Sequence, residues 1–275
     1  MSTVGEAIRA AAEHLAPVSD TARLDAELLM AHALGMSRSQ MLLKAMREPA
    51  PVRFAAFVAR RAAHEPIAYI TGTTEFYGLT LRVTPATLIP RSDSETLIEA
   101  ALERAGEHGR VLDLGTGSGA LLLAVLAKRA RWQGVGLDAS PEALAVAEGN
   151  AADLGLAGRS AWFNRSWHDA GWAEGLGVFD LILCNPPYVE ETAALDPQVR
   201  DYEPASALFA GPEGLDDYRV LIPQLPALMT PQASAILEIG ADQAASVTAL
   251  AEAAGFQGTL RRDLAGRARA LILRA

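Results

Sequence analysis

The sequence predicts an α/β protein, in which a mostly parallel, doubly wound sheet flanked by helices follows a small all-α part. Three observations predict it. From Arg110 onward, short apolar runs alternate with helical patterns, a rhythm that lays strands side by side with helices on both faces. The first of these runs ends in a glycine-rich turn, Asp113-Leu-Gly-Thr-Gly-Ser-Gly119. The fourth ends in Asn185-Pro-Pro-Tyr188, which is more than a strand needs in order to stop. The 275 residues, half of them hydrophobic, suffice for one large or two modest domains.

Residues 1–70 read as a helical bundle. Ile8, Ala11, Ala12 and Leu15 share one helical face, and Asp20 is placed to cap a second helix that Gly35 ends. Ser37 and Gln40 form a capping box for a third, and Pro51 opens a fourth. At Pro66 the composition shifts to Thr, Gly, Pro and aromatics. Residues 71–91 read as a linker holding a hairpin over 75–83 that turns at Gly78. Residues 92–275 form the α/β domain. A helix from Ser92 or Ser94 leads into strands at 111–114, 134–137, 161–163, 179–183, 235–239, 257–261 and 268–273. The last two are joined by a connection too short for a parallel crossover, so the final strand should run antiparallel. Residues 190–210 show no periodicity and read as a mobile, functional loop.

Composition narrows the function. The net charge is −9, and residues 1–75 carry equal numbers of acidic and basic side chains, so the rest of the chain holds all of it. Such a surface repels a phosphate backbone, which argues against general nucleic-acid binding. One cysteine, Cys184, leaves no disulfide framework within the chain and no cysteine-based zinc site, and the five histidines lack metal-ligand spacing. The longest apolar run, residues 120–127, is far shorter than the ~20 residues that span a bilayer. A cytoplasmic protein is expected.

The glycine turn lets backbone approach a ligand closely at a helix N-terminus. As Gly115-x-Gly117-x-x-Ala120 it also fits the dinucleotide fingerprint, so the motif alone points to a nucleotide-like cofactor without choosing one. Asp138 ends the second strand, where a carboxylate accepts from ribose hydroxyls; a helix cap is the other reading, but Ser140 is better placed for that. The sequence offers no well-placed hydride-transfer acid near the turn, which weighs against a dehydrogenase.

The fourth strand should deliver Asn185, Pro186, Pro187 and Tyr188 to the same crevice. Two prolines stiffen the segment. The Asn185 side-chain oxygen and the Pro186 carbonyl, aimed at one point, accept the two hydrogens of an –NH2 group, and Tyr188 offers a flat face to a planar group. Accepting both hydrogens returns electron density to a delocalised nitrogen and readies it to attack a sulfonium methyl. Catalysis of that kind is positioning and electrostatics and needs no Ser–His or Cys–His pair. Cys184 reads as a small buried hydrophobe and His168 as a surface loop residue.

Asp113 to Gly119, Asp138 and Asn185 to Tyr188 together resemble a Rossmann-like class I methyltransferase that uses S-adenosyl-L-methionine (SAM) and methylates amino groups. The tetrad alone does not separate DNA adenine, RNA guanine and protein glutamine methyltransferases. Glu65-Pro-Ile-Ala-Tyr-Ile-Thr-Gly72, Phe76-Tyr-Gly78, Leu88-Ile-Pro-Arg91, Asp201-Tyr-Glu-Pro204 and Gly211-Pro-Glu-Gly-Leu-Asp-Asp-Tyr218 resemble the HemK family, the glutamine methyltransferases of peptide chain release factors. The resemblance implies that Gly115, Thr116, Gly117, Ser118, Gly119, Asp138, Trp167 and Asn185 bind SAM. It implies that Asn185, Pro186, Pro187 and Tyr188 hold the substrate glutamine, with Asn185, Pro186 and Tyr188 catalytic. The implied substrates are the Gly-Gly-Gln loops of release factors 1 and 2; the architecture alone then suggests that the helical bundle grips the release factor, and composition and spacing lead us to expect no metal, membrane or direct nucleic acid as partner. Pro90-Arg-Ser-Asp-Ser-Glu-Thr96 departs from the family's usual Pro-Arg-Pro-Glu-Thr-Glu, so Arg91 and Glu95 receive no role. The alternatives are a glutamine methyltransferase of a ribosomal large-subunit protein and a nucleic-acid amino-group methyltransferase.

Overall fold

The structure, a computed structural model, describes residues 2–274. Its contacts define two compact units. One holds the chain up to Thr73 together with Leu195–Tyr202; the other holds Thr74–Ala194 and the chain from Glu203 onward.

The first unit contains α1 (Val4–Leu15), α2 (Ala22–Leu34), α3 (Arg38–Lys44), α4 (Phe54–Ala62) and α5 (Ile67–Thr71). Ile8, Leu15, Leu29, Met30 and Met41 are fully buried and form its centre. Ser37 and Gln40 make the expected capping box, and Gly35 ends α2 with φ 68°. Asp20 does not cap α2. The hydroxyls of Ser19 and Thr21 turn instead to Asp25, a buried carboxylate that also meets Arg61 at 2.7 Å. A buried ion pair needs such extra hydrogen bonds to offset its lost hydration. The turn before α2 is therefore organised around Asp25, which outcompetes a local cap. The short α5 was not expected, because five residues between Pro66 and Gly72 are too few to show a period. Tyr202, near the end of Leu195–Tyr202, donates its hydroxyl to the Ala63 carbonyl at 2.6 Å.

The second unit starts with a hairpin, β1 (Thr73–Phe76) and β2 (Leu79–Arg82), turning at Tyr77 and Gly78, both with positive φ. Then come α6 (Glu95–Arg104), β3 (His108–Leu114), α7 (Ala120–Lys128), β4 (Arg131–Asp138), α8 (Pro141–Asp153), β5 (Ser160–Asn164) and β6 (Phe179–Cys184). After the helical turn α9 (Pro197–Arg200) follow α10 (Asp216–Leu221), β7 (Met229–Glu238), α11 (Ala244–Ala253), β8 (Gln257–Arg262) and β9 (Ala268–Arg274). The seven-stranded sheet has the order β5-β4-β3-β6-β7-β9-β8. β3 to β7 pair in parallel, and β9 runs antiparallel to both β7 and β8, as the short final connection requires. Residues 190–210 are less featureless than the sequence suggests. Beside α9 they hold a 3₁₀ turn at Ala205–Ala207 and a bridge from Val189 to Phe209. No helix among the described residues is long and apolar enough to cross a membrane.

The strand order reverses between β3 and β6, and that crevice is where an open α/β sheet binds its ligands. One side of it is set by a close approach. A Cβ added to Gly136 of β4 would lie 2.4 Å from the Trp162 ring and 3.2 Å from Cγ2 of Thr116 in the glycine turn. Replacing Gly136 by alanine should therefore cost about 1–3 kcal/mol, measured by urea unfolding, since the indole or the strand must shift to admit the methyl.

Candidate active site

A cavity of roughly 400 Å³ opens at the carboxyl ends of β3, β4 and β6. That volume is ordinary for a small-molecule site. Gly115, Thr116, Gly117, Ser118, Asp138, Trp167, Asn185 and Pro187 line it, so the structure brings together most of the residues singled out in the sequence. Gly119, Pro186 and Tyr188 stand behind this surface. At Gly119 an added Cβ would meet Leu123, Trp162 and Ala147 within 3.3 Å, so this glycine serves helix packing. Pro186 is buried, and Tyr188 is half-buried with its hydroxyl donating to Glu238 at 3.1 Å.

The glycine turn is tied down from within. The N–H groups of Gly115 and Thr116 both donate to the Leu137 carbonyl, and that of Gly119 donates to Thr116. Gly117 donates to Oδ2 of Asp138 at 2.8 Å, and Ser140 donates to its Oδ1 at 2.9 Å. Ser140 caps α8 through Ala143, so Asp138 is released from capping and instead joins the two loops that border the cavity. Asn150, buried in α8, adds a further tie by donating to the Ser118 carbonyl while accepting from the Arg82 N–H. Beneath the turn lies Asp113. Its Oδ2 accepts from the Thr116 hydroxyl at 2.6 Å and from the Leu122 N–H near the start of α7, and its Oδ1 has no partner. The Asp113 side chain already takes the Leu122 N–H near the helix end where a phosphate would dock. Four turn N–H groups are used internally as well, so the turn offers a pyrophosphate fewer donors than its glycine spacing suggests, which weighs against the dinucleotide reading.

A nucleoside carrying a cation fits better. Gly117, with φ 54°, leaves open space where a Cβ would stand, and a Cβ on Gly115 would press to 3.2 Å from the Trp167 ring. The indole thus packs directly on the turn backbone at Gly115, and both border the cavity, where the ring offers a flat surface. Each Asp138 oxygen keeps acceptor capacity beyond its one backbone partner, as ribose hydroxyls require. Among the described residues no cluster of His, Cys, Asp or Glu is suited to a metal ion.

Several site residues escaped the sequence reading. Asp217, at the start of α10, holds Trp167 through its indole N–H at 2.8 Å, and His168 Nε2 lies 2.9 Å from the same oxygen. His168 is half-exposed, as expected of a loop residue, but it also lines the cavity. In sequence, Asp216-Asp217 reads only as favourable acid in a first helical turn. Thr87 and Leu88 line the cavity from what the sequence marks as a linker. Arg91 pairs with the buried Glu203, and Glu95 accepts from the Tyr77 N–H at the hairpin turn, so both are structural ties.

Burial dominates the electrostatics. It raises the Asp138 and Glu238 carboxyls against their hydrogen bonds. It raises the Tyr188 phenol, with Glu238 adding to the effect, and pushes the Cys184 thiol well above its ordinary value, leaving it inert.

A parallel sheet with its cavity at the β3/β6 reversal, a self-tied glycine turn and an Asn-Pro-Pro-Tyr bracket define a methyltransferase-type α/β domain. Residues 92–201 match the family model described as "Methyltransferase small domain", and residues 6–72 match the "PrmC N-terminal domain". The chain belongs to the release factor glutamine methyltransferase family. It is 43% identical to the release factor glutamine methyltransferase of Cereibacter sphaeroides over 98% of this chain and 97% of that one. It is 42% identical to that of Bradyrhizobium diazoefficiens over 93% and 89%. A methyltransferase from Pyrococcus furiosus shares the fold, with TM-score 0.53 at 18% identity over 72% of this chain and 89% of that one.

Burial lifts the Asp113 carboxyl from an ordinary 3.8 to about 7, more than its bonds to Thr116 and Leu122 lower it. The folded chain then keeps this proton up to about pH 7, whereas the unfolded chain releases it near pH 4. The stability linked to it is complete below pH ~4 and falls as pH rises toward ~7. Asp113→Asn, neutral throughout, should gain on the wild type across that window, by up to ~1.4 kcal/mol per pH unit in denaturant unfolding.

Proposed function

We propose that this protein transfers a methyl group from SAM to the side-chain amide nitrogen of a glutamine, that of the Gly-Gly-Gln loop in release factors 1 and 2. The observation that carries the reading is the cavity itself, where Asn185 and Pro187 share one wall system with the glycine turn, Asp138 and Trp167. The relatives' names, at about 40% identity over nearly the whole chain, support the substrate.

In this reading Asp138 accepts from the ribose hydroxyls, Gly115 to Ser118 pass close beneath the nucleoside, and Trp167, steadied by Asp217, packs on its flat face. When bound, SAM supplies an electrophilic sulfonium methyl. The chain's own residues prepare the nucleophile. The Asn185 side-chain oxygen and the Pro186 carbonyl accept the two amide N–H groups, which loosens the nitrogen lone pair and fixes its approach. Pro186 and Pro187 keep the two acceptors from turning away. Tyr188, behind the bracket, limits how far it shifts. The methylated nitrogen is acidic and gives up its surplus proton without a strong base. Most of the rate enhancement then comes from preorganised acceptors and alignment.

The helical unit is assigned to recognition of the release factor. Its support is that residues 6–72 match a domain model of their own, separate from the methyltransferase model, and carry none of the cavity residues. The assignment would place the reaction in the cytoplasm, where release factors work.

Two measurements test the reading. Radiolabelled SAM should label purified release factor 1 or 2, and should not label a version whose Gly-Gly-Gln glutamine is alanine; label appearing instead on a ribosomal protein or on tRNA would overturn the substrate. Asn185→Ala should bind SAM within a few-fold of wild type while kcat falls by roughly 10²-fold or more, the scale seen when one preorganised hydrogen bond to a reacting group is lost.

A further inference from the structure

Glu238 ends β7 and has no part in the chemistry described so far. It is 2% exposed, and it follows Leu237, which pairs with Cys184, so it stands next to the start of the Asn185-Pro-Pro-Tyr bracket. Each of its three oxygens accepts from a hydroxyl. Oε1 accepts from the Tyr188 hydroxyl at 3.1 Å, Oε2 from the Ser94 hydroxyl at 2.5 Å, and the main-chain oxygen from the Tyr218 hydroxyl at 2.7 Å. Ser94 lines the cavity, whereas Tyr188 stands behind it. One carboxylate thus joins the last residue of the bracket to a cavity-lining residue, Ser94, at the turn that opens α6.

The main chain of this segment has its own ties. The Gln243 side chain donates to the Tyr188 carbonyl at 3.0 Å, and Gly214 packs so close to that carbonyl that a Cβ would lie 2.2 Å from it. Those contacts hold the backbone and leave the Tyr188 side chain to Glu238. The cation next to Glu238, Arg269, pairs with Asp93 at 3.1 Å and donates to the Ile239 carbonyl. A carboxylate this deep is costly to bury, and an apolar side chain would fill the same space at lower cost if filling were its task.

We propose that Glu238 is a positioning residue for methyl transfer: by accepting from both Tyr188 and Ser94 it holds the bracket at a fixed distance from the turn that opens α6. The inference rests on the reading of Asn185 to Tyr188 as the glutamine-holding bracket. It acts through Tyr188 and touches neither substrate nor cofactor.

The test compares Glu238→Met, Glu238→Gln, Tyr188→Phe and the Glu238→Met/Tyr188→Phe double variant on purified release factor with radiolabelled SAM, with SAM affinity measured by calorimetry. A misplacement of about 1 Å is worth up to ~10²-fold in rate. Glu238→Met should therefore lower kcat about tenfold to a hundredfold, with KM for the release factor and SAM affinity little changed. Glu238→Gln, which keeps an acceptor for Tyr188 but no charge, should recover most of the loss. The double variant should be no slower than the slower single one. Wild-type kcat in Glu238→Met overturns the proposal, as do losses that multiply in the double variant. A Gln variant as slow as the Met variant also overturns it, because the charge near Arg269 would then be what matters. If Glu238→Met does not fold, Ser94→Ala replaces it: a lower kcat at unchanged SAM affinity is expected, and wild-type kcat overturns the idea. Inactivity of the wild type on release factors would instead sink the proposed function.

Discussion

The pairing of β3 with β4 on one side and β6 on the other is the constraint on which the rest depends. Because the strand order reverses there, the loops after β3 and β6 leave the sheet in different directions and open a gap. The glycine turn follows β3 and the Asn-Pro-Pro-Tyr bracket follows β6, and only this strand order sets them facing one cavity. Asp138, ending β4, belongs to the same rim through its bonds to Gly117 and Ser140. The elements farther out act as supports. Asn150 links β2 to the turn, Asp217 holds Trp167, and Glu238 at the end of β7 backs the bracket.

How much of this was legible in the sequence follows from how local each signal is. Strand and helix alternation is a property of neighbouring residues, and the seven strands from β3 to β9 overlap the apolar runs that predict them. The glycine turn and the bracket were legible because several unusual residues stand side by side. The insertion of β9 between β7 and β8 was not, since strand order is decided by partners far apart in the chain. The same holds for the supporting residues. Trp167 and Asp217 lie 50 positions apart, and Ser94 and Glu238 lie 144 apart. In isolation Asp217 is an acid in a first helical turn and Glu238 an acid at a strand end. Asp20 shows the opposite error, a sound local cap signal that lost to a buried carboxylate, Asp25, with a partner 36 positions away in Arg61.

The division between touching and supporting residues also refines the tetrad. Its four members stand side by side in sequence but do not share one role in space. Asn185 and Pro187 reach the cavity surface, Pro186 is buried, and Tyr188 is part of the frame. A short motif therefore spans both the working surface and its backing, and substitutions along it should differ in kind: loss of a contact at one end, loss of alignment at the other.

The self-contained glycine turn has a consequence for life in a crowded nucleotide pool. ATP and NAD share the adenosine portion that the proposed function assigns to Asp138 and Trp167, but each also carries phosphates. Those phosphates would have to shed water next to Asp138, with few free N–H groups to receive them. A ligand whose tail carries a positive centre meets no such penalty. With four of its donors spent on its own carbonyls and carboxylates, the turn leaves a phosphate few N–H groups to replace the water it sheds, and it does so without a single residue placed to clash.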